Sequence, residues 1–344
     1  MSVLTSLETS SRTTLPDVEG RLERFFDQRT IEAEQLGNRY VGLWGAARQS
    51  ARGGKKLRPA LVVESFAALR NERTVILDAA MVDVAAAFEL LHTAFLLHDD
   101  VLDGDTVRRG RANLIGAFAT DAERHGVDAG RARKWGEASA ILAGDLLIHG
   151  AHTLVDEAEL PGSVRTRIQT ILHDAIFRTA AGEQSDIAFS CGIATPSLPD
   201  VLAMTEGKTA HYSFGDPLRA GALLAGADEQ LVSLLGEFGR AIGVAFQVRD
   251  DVLGTFGDER VLGKSVSSDG RTGKVTVLSV GADPATKASP ARGKDGVEAG
   301  RGLAERLIDS NRNVALRLAA DPIVPERLRV VLEACAVRAT ERES

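Results

Sequence analysis

Residues 75–104 read VILDAAMVDVAAAFELLHTAFLLHDDVLDG. Wound at helical pitch, the run from Ile76 to Leu102 is apolar on nearly every side. That predicts a long helix in the middle of a bundle rather than one lying on a surface. Asp78, Asp83, Glu89 and His92 interrupt the apolar stretch, and a lipid-facing span would not carry them, so no membrane span is expected here. At the C-terminal end the composition inverts: HDDVLDGDTVRRG, residues 98–110, sets four aspartates in seven positions and then two arginines. Positions four or seven apart share a helical face, which lines up His92, Asp99 and Asp103. Two carboxylates one turn apart suit a hard cation, and Mg²⁺ takes one or two carboxylates and fills its shell with phosphate oxygens and water.

The rest of the chain is also helix-forming. Of 344 residues, 44% are hydrophobic and 26% charged, enough for a substantial globular core. Aromatics are only 5% and β-branched runs are few, which favours an all-α fold. GGKKLRP, residues 53–59, places a glycine pair and a basic turn before a helix with Pro59 near its start. Apolar periodicity predicts further helices over about 22–47, 135–156, 163–189, 197–223, 228–253, 301–320 and 325–340, and no segment alternates as a strand. Residues 1–17 read as a flexible tail, and 279–300, SVGADPATKASPARGKDGVEAG, as a mobile loop with no apolar face. A single domain is expected over 18–344.

The net charge of −7 argues against nucleic acid or an anionic membrane as the main partner. The polar N-terminus lacks the apolar core of a signal peptide. Cys191 and Cys335 lack metal-ligand spacing; they could pair in one disulfide but better suit free thiols in a reducing cytoplasm.

A second acid cluster resembles the first. AFQVRDDVLGTFGD, residues 245–258, ends another apolar helix with Asp250 and Asp251, and Gln247 lies one turn earlier. Alone, either cluster reads as solvated charge; together they could face each other across a bundle and hold Mg²⁺. Cations recur near them in sequence: Lys55, Lys56 and Arg58, then Arg108 and Arg109, Lys208 before Thr209 in EGKTA, and Lys264 and Lys274. Arginine grips phosphate through a planar fork and lysine as a point charge. Basic groups interspersed with metal-chelating acids, at the mouth of apolar helices, suit a diphosphate with a greasy tail.

The ordered set GGKKLRP, ELLHTAFLLHDDVLDGDTVRRG, AGDLL, GKTA, FQVRDD and LGK, running from Arg52 to Lys274, resembles the trans-isoprenyl diphosphate synthases. The resemblance implies an isoprenoid-synthase bundle with a central apolar cavity, a cytoplasmic homodimer, and Mg²⁺, three per active site. It implies that Lys55, Arg58, His92 and Arg109 bind isopentenyl diphosphate. Asp99, Asp103 and Asp250 would hold Mg²⁺ with Asp100 and Asp251 in support. Arg108, Lys208 and Lys264 would take the allylic diphosphate (dimethylallyl, geranyl or farnesyl), Lys274 would belong to the substrate-binding set, and Thr209 and Gln247 would sit near the developing cation. The family floors its tail pocket at the positions of Ala94 and Phe95. Phe95 lies one turn, about 5.4 Å, from Asp99 on the same side. One small and one bulky residue there imply a C20 product, with C15 or C25-plus as neighbours.

Some residues depart from the pattern. Gly254 stands at the third acid position of the second cluster, Ala112 where proline is common, and Glu183 where glutamine is usual. Gly254 and the 279–300 segment motivate an alternative, a non-catalytic or regulatory subunit of a heteromeric synthase. A class I terpene cyclase shares an acid-rich Mg²⁺ site but has no use for Lys55, Arg58 and the paired arginines.

Overall fold

A computed structural model describes residues 3–71, 74, 77–256, 275–280 and 294–341, with no account of the side chains of 3–14 and 294–299. The helices in chain order are α1 (Val3–Glu34), α2 (Asn38–Ala51), α3 (Leu57–Leu69), α4 (Asp78–Leu102), α5 (Leu114–Arg124), α6 (Ala129–Glu157) and α7 (Gly162–Ser190). After α8 (Leu198–Thr205) a π-helical segment (Glu206–Gly215) leads into α9 (Asp216–Leu224) and α10 (Glu229–Phe256). Then come α11 (Val277–Val280), α12 (Lys294–Ala319) and α13 (Glu326–Thr340). The chain, expected as a single domain, divides into two compact units: residues 9–63 with 76–165, and residues 1–8 with 64–75 and 166–344.

In the unit of residues 9–63 and 76–165, α4 is the buried centre that its all-round apolarity predicts, with Val84, Ala85, Ala86, Ala87, Phe88, Leu90, Leu91 and Ala94 fully enclosed. It packs along α6, whose Ala140, Ala143, Gly144, Leu147 and Ala151 face the core. Small residues let the two backbones approach. Gly150 of α6 makes room for a ring of α1 as well: a Cβ built there would lie 2.5 Å from Phe25 Cζ. Phe25, Phe26 and Trp44 pack edge to face, with ring centroids 5.3–6.4 Å apart.

In the other unit α10 is central, packed against the π-helical segment and α12. Two crossings there require glycine: a Cβ on Gly239 would lie 2.1 Å from Gly215 Cα, and one on Gly243 2.4 Å from Ala210 Cα. α13 is tied to α3 by Arg338, whose two terminal nitrogens donate to Glu64 Oε1 and Oε2 at 3.3 and 2.8 Å. Helices α4, α6 and α10 are long and apolar enough to cross a membrane by composition, but 72%, 50% and 61% of their most apolar windows are buried within the protein.

Several expectations from sequence need correction. The stretch expected as a flexible tail, 1–17, is helical from Val3 and runs through Pro16 into α1. Leu4, Leu7, Leu15, Val18 and Leu22 supply the 3–4 spacing that the Ser/Thr-rich composition obscures. The helix expected over 22–47 breaks at Gly37, whose φ of +108° a side chain would resist. The segment 197–223 is two α-helices separated by the π-helical stretch. Of the expected loop 279–300, α11 ends at Val280 and α12 begins at Lys294; 281–293 lie outside the described residues. The chain also has a strand pair, Val107–Arg108 with Arg111–Ala112, where none was expected.

Candidate active site

In the first unit the acid cluster is shaped by how α4 ends. Asp99 and Asp103 lie one turn apart, with Asp103 at the C-cap in right-handed helical conformation and its N–H bonded to Asp99 O at 2.8 Å. Gly104 follows at φ +69° and turns the chain out of the helix. Asp99 is half-buried and Asp103 exposed, whereas Asp100 is 3% exposed. Arg108 anchors Asp100: Nε and Nη2 donate to Oδ1 at 2.9 and 2.6 Å, and Nη2 also reaches Asp99 Oδ2 at 3.3 Å. Burial raises the Asp100 carboxyl above its usual range, with Arg108 opposing. Asp100 thus holds Arg108 in place.

The arginine pair sits on a hairpin. Arg108 pairs with Arg111, and the two connecting residues, Arg109 and Gly110, have φ of +52° and +72°. Positive φ at both central residues is the type I′ turn, whose twist suits a two-residue connection. Asn113 braces the hairpin: its Nδ2 donates to Asp105 O at 2.8 Å while its Oδ1 caps α5 at Gly116 N. The Arg109 guanidinium lies over the glycine pair of GGKKLRP, where a Cβ on Gly54 would be 3.2 Å from Nη2.

The two lysines of that motif part company. Lys55 is exposed. Lys56 turns inward at φ +47°, 8% exposed, and its Nζ donates to Ala51 O at 2.6 Å and Glu89 Oε1 at 2.9 Å. Among the described residues, Lys56 and Arg109 are the non-glycine positions with positive φ. Strain of this kind collects at functional sites. His92 lies two turns before Asp99 on α4, and burial holds its imidazole well below the ordinary pKa. Arg58, Arg108, Arg109 and Lys56 all push it further in the same direction. Of these cations, Lys56 is paired with Glu89 and Arg108 with Asp100.

The AGDLL motif has a positioning role. A Cβ on Gly144 would lie 2.2 Å from His98 Nε2, so glycine makes room for the ring beside Asp99. His98 Nε2 also lies 3.3 Å from Asp145 Oδ1. Ala94 is fully buried and Phe95 half-buried on the same helix.

In the second unit Lys208 and Thr209 fall in the π-helical segment, a geometry common at functional sites. Thr209 Oγ1 donates to Gln247 Oε1 at 3.1 Å, and Gln247 Nε2 to Asp251 Oδ1 at 3.1 Å. This chain orients the Gln247 amide and engages Asp251; Asp250 is half-buried beside it. Lys208 Nζ donates to Glu183 Oε1 at 2.9 Å and Asp186 Oδ2 at 2.8 Å. Lys264 and Lys274 lie outside the described residues. Sequence reasoning passed over Glu89, Asp186, His98 and Asp145 as partners. The i, i+3 spacing of Glu183 and Asp186 after Gly182 was the available signal.

Among the described residues no three His, Cys, Asp or Glu side chains converge as an all-protein metal cage. Mg²⁺ does not need one, because it keeps water and substrate phosphate in its shell. Asp99 and Asp103, hard oxygen donors on one exposed face, fit that mode.

Residues 44–295 match the family model for polyprenyl synthetase. A farnesyl diphosphate synthase of Geobacillus stearothermophilus is 34% identical over 271 residues, 74% of this chain and 82% of that one. A geranylgeranyl diphosphate synthase of Saccharolobus solfataricus is 34% identical over 228 residues, 66% of this chain. The chain spans 61% of that relative's length. The crystal structure of geranylgeranyl pyrophosphate synthase from Corynebacterium glutamicum, complexed with isoprenyl diphosphate and magnesium, superposes with a TM-score of 0.81 at 27% identity. That superposition covers 96% of this chain and 99% of the other.

Proposed function

The chain belongs to the polyprenyl synthetase family, and from that premise we propose that it is a Mg²⁺-dependent head-to-tail prenyltransferase. It condenses isopentenyl diphosphate with an allylic diphosphate, and its product is geranylgeranyl diphosphate. The observation that carries this reading is the pair of arginines beside the acid cluster, Arg108 bonded to Asp100 and Asp99 and Arg109 laid over Gly54 of GGKKLRP. A site for one metal alone would have no use for them.

Lys55, Arg58, His92 and Arg109 bind the diphosphate of isopentenyl diphosphate, the histidine as a neutral hydrogen-bonding group. Asp99 and Asp103, and in the second unit Asp250, are the residues that would hold Mg²⁺, three ions in all. Bound there, Mg²⁺ would supply positive charge to neutralise the departing diphosphate and favour ionisation of the allylic C–O bond. Arg108, Lys208 and Lys264 grip that diphosphate, and Lys274 belongs to the substrate-binding set. The Thr209–Gln247 pair directs oxygen dipoles at the allylic cation, and apolar surroundings exclude water that would quench it. The isopentenyl double bond attacks, and the proton lost from C2 passes to an oxygen of the released diphosphate.

The protein works as a cytoplasmic homodimer; Trp135 and Leu142, seven residues apart on one face of α6 and both exposed, support a second copy. A non-catalytic subunit is the second reading, favoured by Gly254. Incubation of the purified chain with Mg²⁺, labelled isopentenyl diphosphate and each allylic primer separates them. Elongation by the chain alone supports the synthase, elongation only with a second chain the subunit, and no elongation with any primer rejects the synthase.

A further inference from the structure

Lys208, assigned above to the allylic diphosphate, is already engaged. Its ammonium is shared between Glu183 Oε1 at 2.9 Å and Asp186 Oδ2 at 2.8 Å, and all three side chains are mostly buried. The arrangement is built into the backbone. A Cβ on Gly182 would lie 2.3 Å from Lys208 N, so α7 and the π-helical segment touch where the lysine leaves the chain. Glu183 and Asp186, three apart on α7, then bracket the ammonium from one helical face.

An incoming diphosphate has to detach the ammonium from a carboxylate in a partly desolvated place. The two carboxylates are not equivalent. Asp186 commits Oδ2 to Lys208 and is the more buried of the two, so Asp186 is the fixed counter-ion. Glu183 is the more exposed of the two and the one that a ligand can displace. A glutamine there would still accept from Lys208 but would carry no charge.

We infer that Glu183 is an affinity-determining residue of the allylic site: it competes with the substrate diphosphate for Lys208, weakening the grip on the headgroup and easing release of inorganic diphosphate. The inference rests on the reading that Lys208 grips that diphosphate. Titration calorimetry of inorganic diphosphate at fixed Mg²⁺ tests it without turnover, using Glu183→Gln, Lys208→Gln and the double variant, each checked for native helicity. Glu183→Gln is expected to bind roughly three- to tenfold tighter, and the gain to vanish in the Lys208→Gln background. Unchanged or weaker binding by Glu183→Gln, with weaker binding by Lys208→Gln, overturns the inference and leaves the role of Lys208 intact. A gain that persists without Lys208 also overturns it. No effect of Lys208→Gln removes the premise, and the inference with it.

Discussion

Lys56 Nζ meets Glu89 Oε1 at 2.9 Å, with both side chains less than a tenth exposed. Removing one partner of such a pair leaves a buried charge without its counter-ion, which costs about 3–5 kcal/mol. Glu89→Ala should lower the urea stability by about that much. The double variant Glu89→Leu with Lys56→Met should recover most of it, because apolar replacements leave no charge to solvate. A single variant within about 1 kcal/mol of the parent would show the pair to be dispensable.

Gly144 and His98 are in a similar relation of necessity. A Cβ at position 144 would overlap the His98 imidazole at 2.2 Å from Nε2, so Gly144→Ala must displace a ring that sits next to Asp99. Overpacking of this kind costs about 1–3 kcal/mol. Thermal unfolding should show the loss, and the added substitution His98→Ala should relieve it. In an assay of elongation, Gly144→Ala should also need more Mg²⁺ for half-maximal rate.

Much of this was readable in the sequence. The centre of the first unit followed from the all-round apolarity of 76–102, and Asp99 with Asp103 followed from four-residue spacing. What escaped is set by long-range contacts. Lys55 and Lys56 are adjacent and identical in type; a backbone φ of +47° and Glu89, 33 positions away, send only Lys56 inward. The Arg109–Gly110 turn belongs to a ribbon with strands of two residues, too short to show any alternation. The π-helical stretch around Lys208 reads as ordinary helix, because its period differs from α by a fraction of a residue and the close glycine crossings at 207, 239 and 243 exist only in three dimensions. The buried ion pairs of Lys208 were hidden for the same reason, since α7 and the π-helical segment meet only in three dimensions.

Asp216 predicts a pH dependence of stability. Burial pushes its carboxyl from the ordinary 3.8 to about 6, although Arg219 Nη1 donates to Oδ1 at 3.0 Å. The folded pKa is the higher one, so between pH 4 and 6 the folded chain keeps a proton that the unfolded chain has lost. Stability from this group is present below pH 4, falls as pH rises through about 6, and is flat above. A rise of that size corresponds to about 3 kcal/mol. Chemical denaturation of the parent and of Asp216→Asn isolates it, since other carboxylates cancel in the difference. A difference between the two that stays constant from pH 4 to 7 would contradict the buried-acid account.

Gly254 lies one helical turn beyond Asp250 within α10. Gly254→Asp would recreate there the paired carboxylates that Asp99 and Asp103 form on α4. The variant should reach half-maximal elongation at a lower Mg²⁺ concentration, with kcat changed by less than about tenfold. It should gain no helix stability, since an aspartate in the last turn opposes the helix dipole. A Mg²⁺ titration of elongation, run beside the parent, checks the first expectation; an unchanged titration midpoint would mean that position 254 does not face the metal.

Phe95 sets the last prediction, which concerns product length. It lies one turn before Asp99 on α4, half-buried, next to a fully buried Ala94. A chain growing away from a diphosphate held near Asp99 meets the residue one turn down the same helical face, and each further turn deepens the space by about 5.4 Å. Truncating the ring to a methyl opens that depth. Phe95→Ala should therefore shift the product distribution from C20 toward C25 and longer, while Ala94→Phe should shift it toward C15. Both are read by chromatography of dephosphorylated products from labelled isopentenyl diphosphate. Because Phe95 is half-buried, Phe95→Ala should lose less than the roughly 3–5 kcal/mol of a fully enclosed phenylalanine, so a folded variant is available for the assay. If the distribution stays fixed in both variants, the floor of the tail pocket lies elsewhere on the chain.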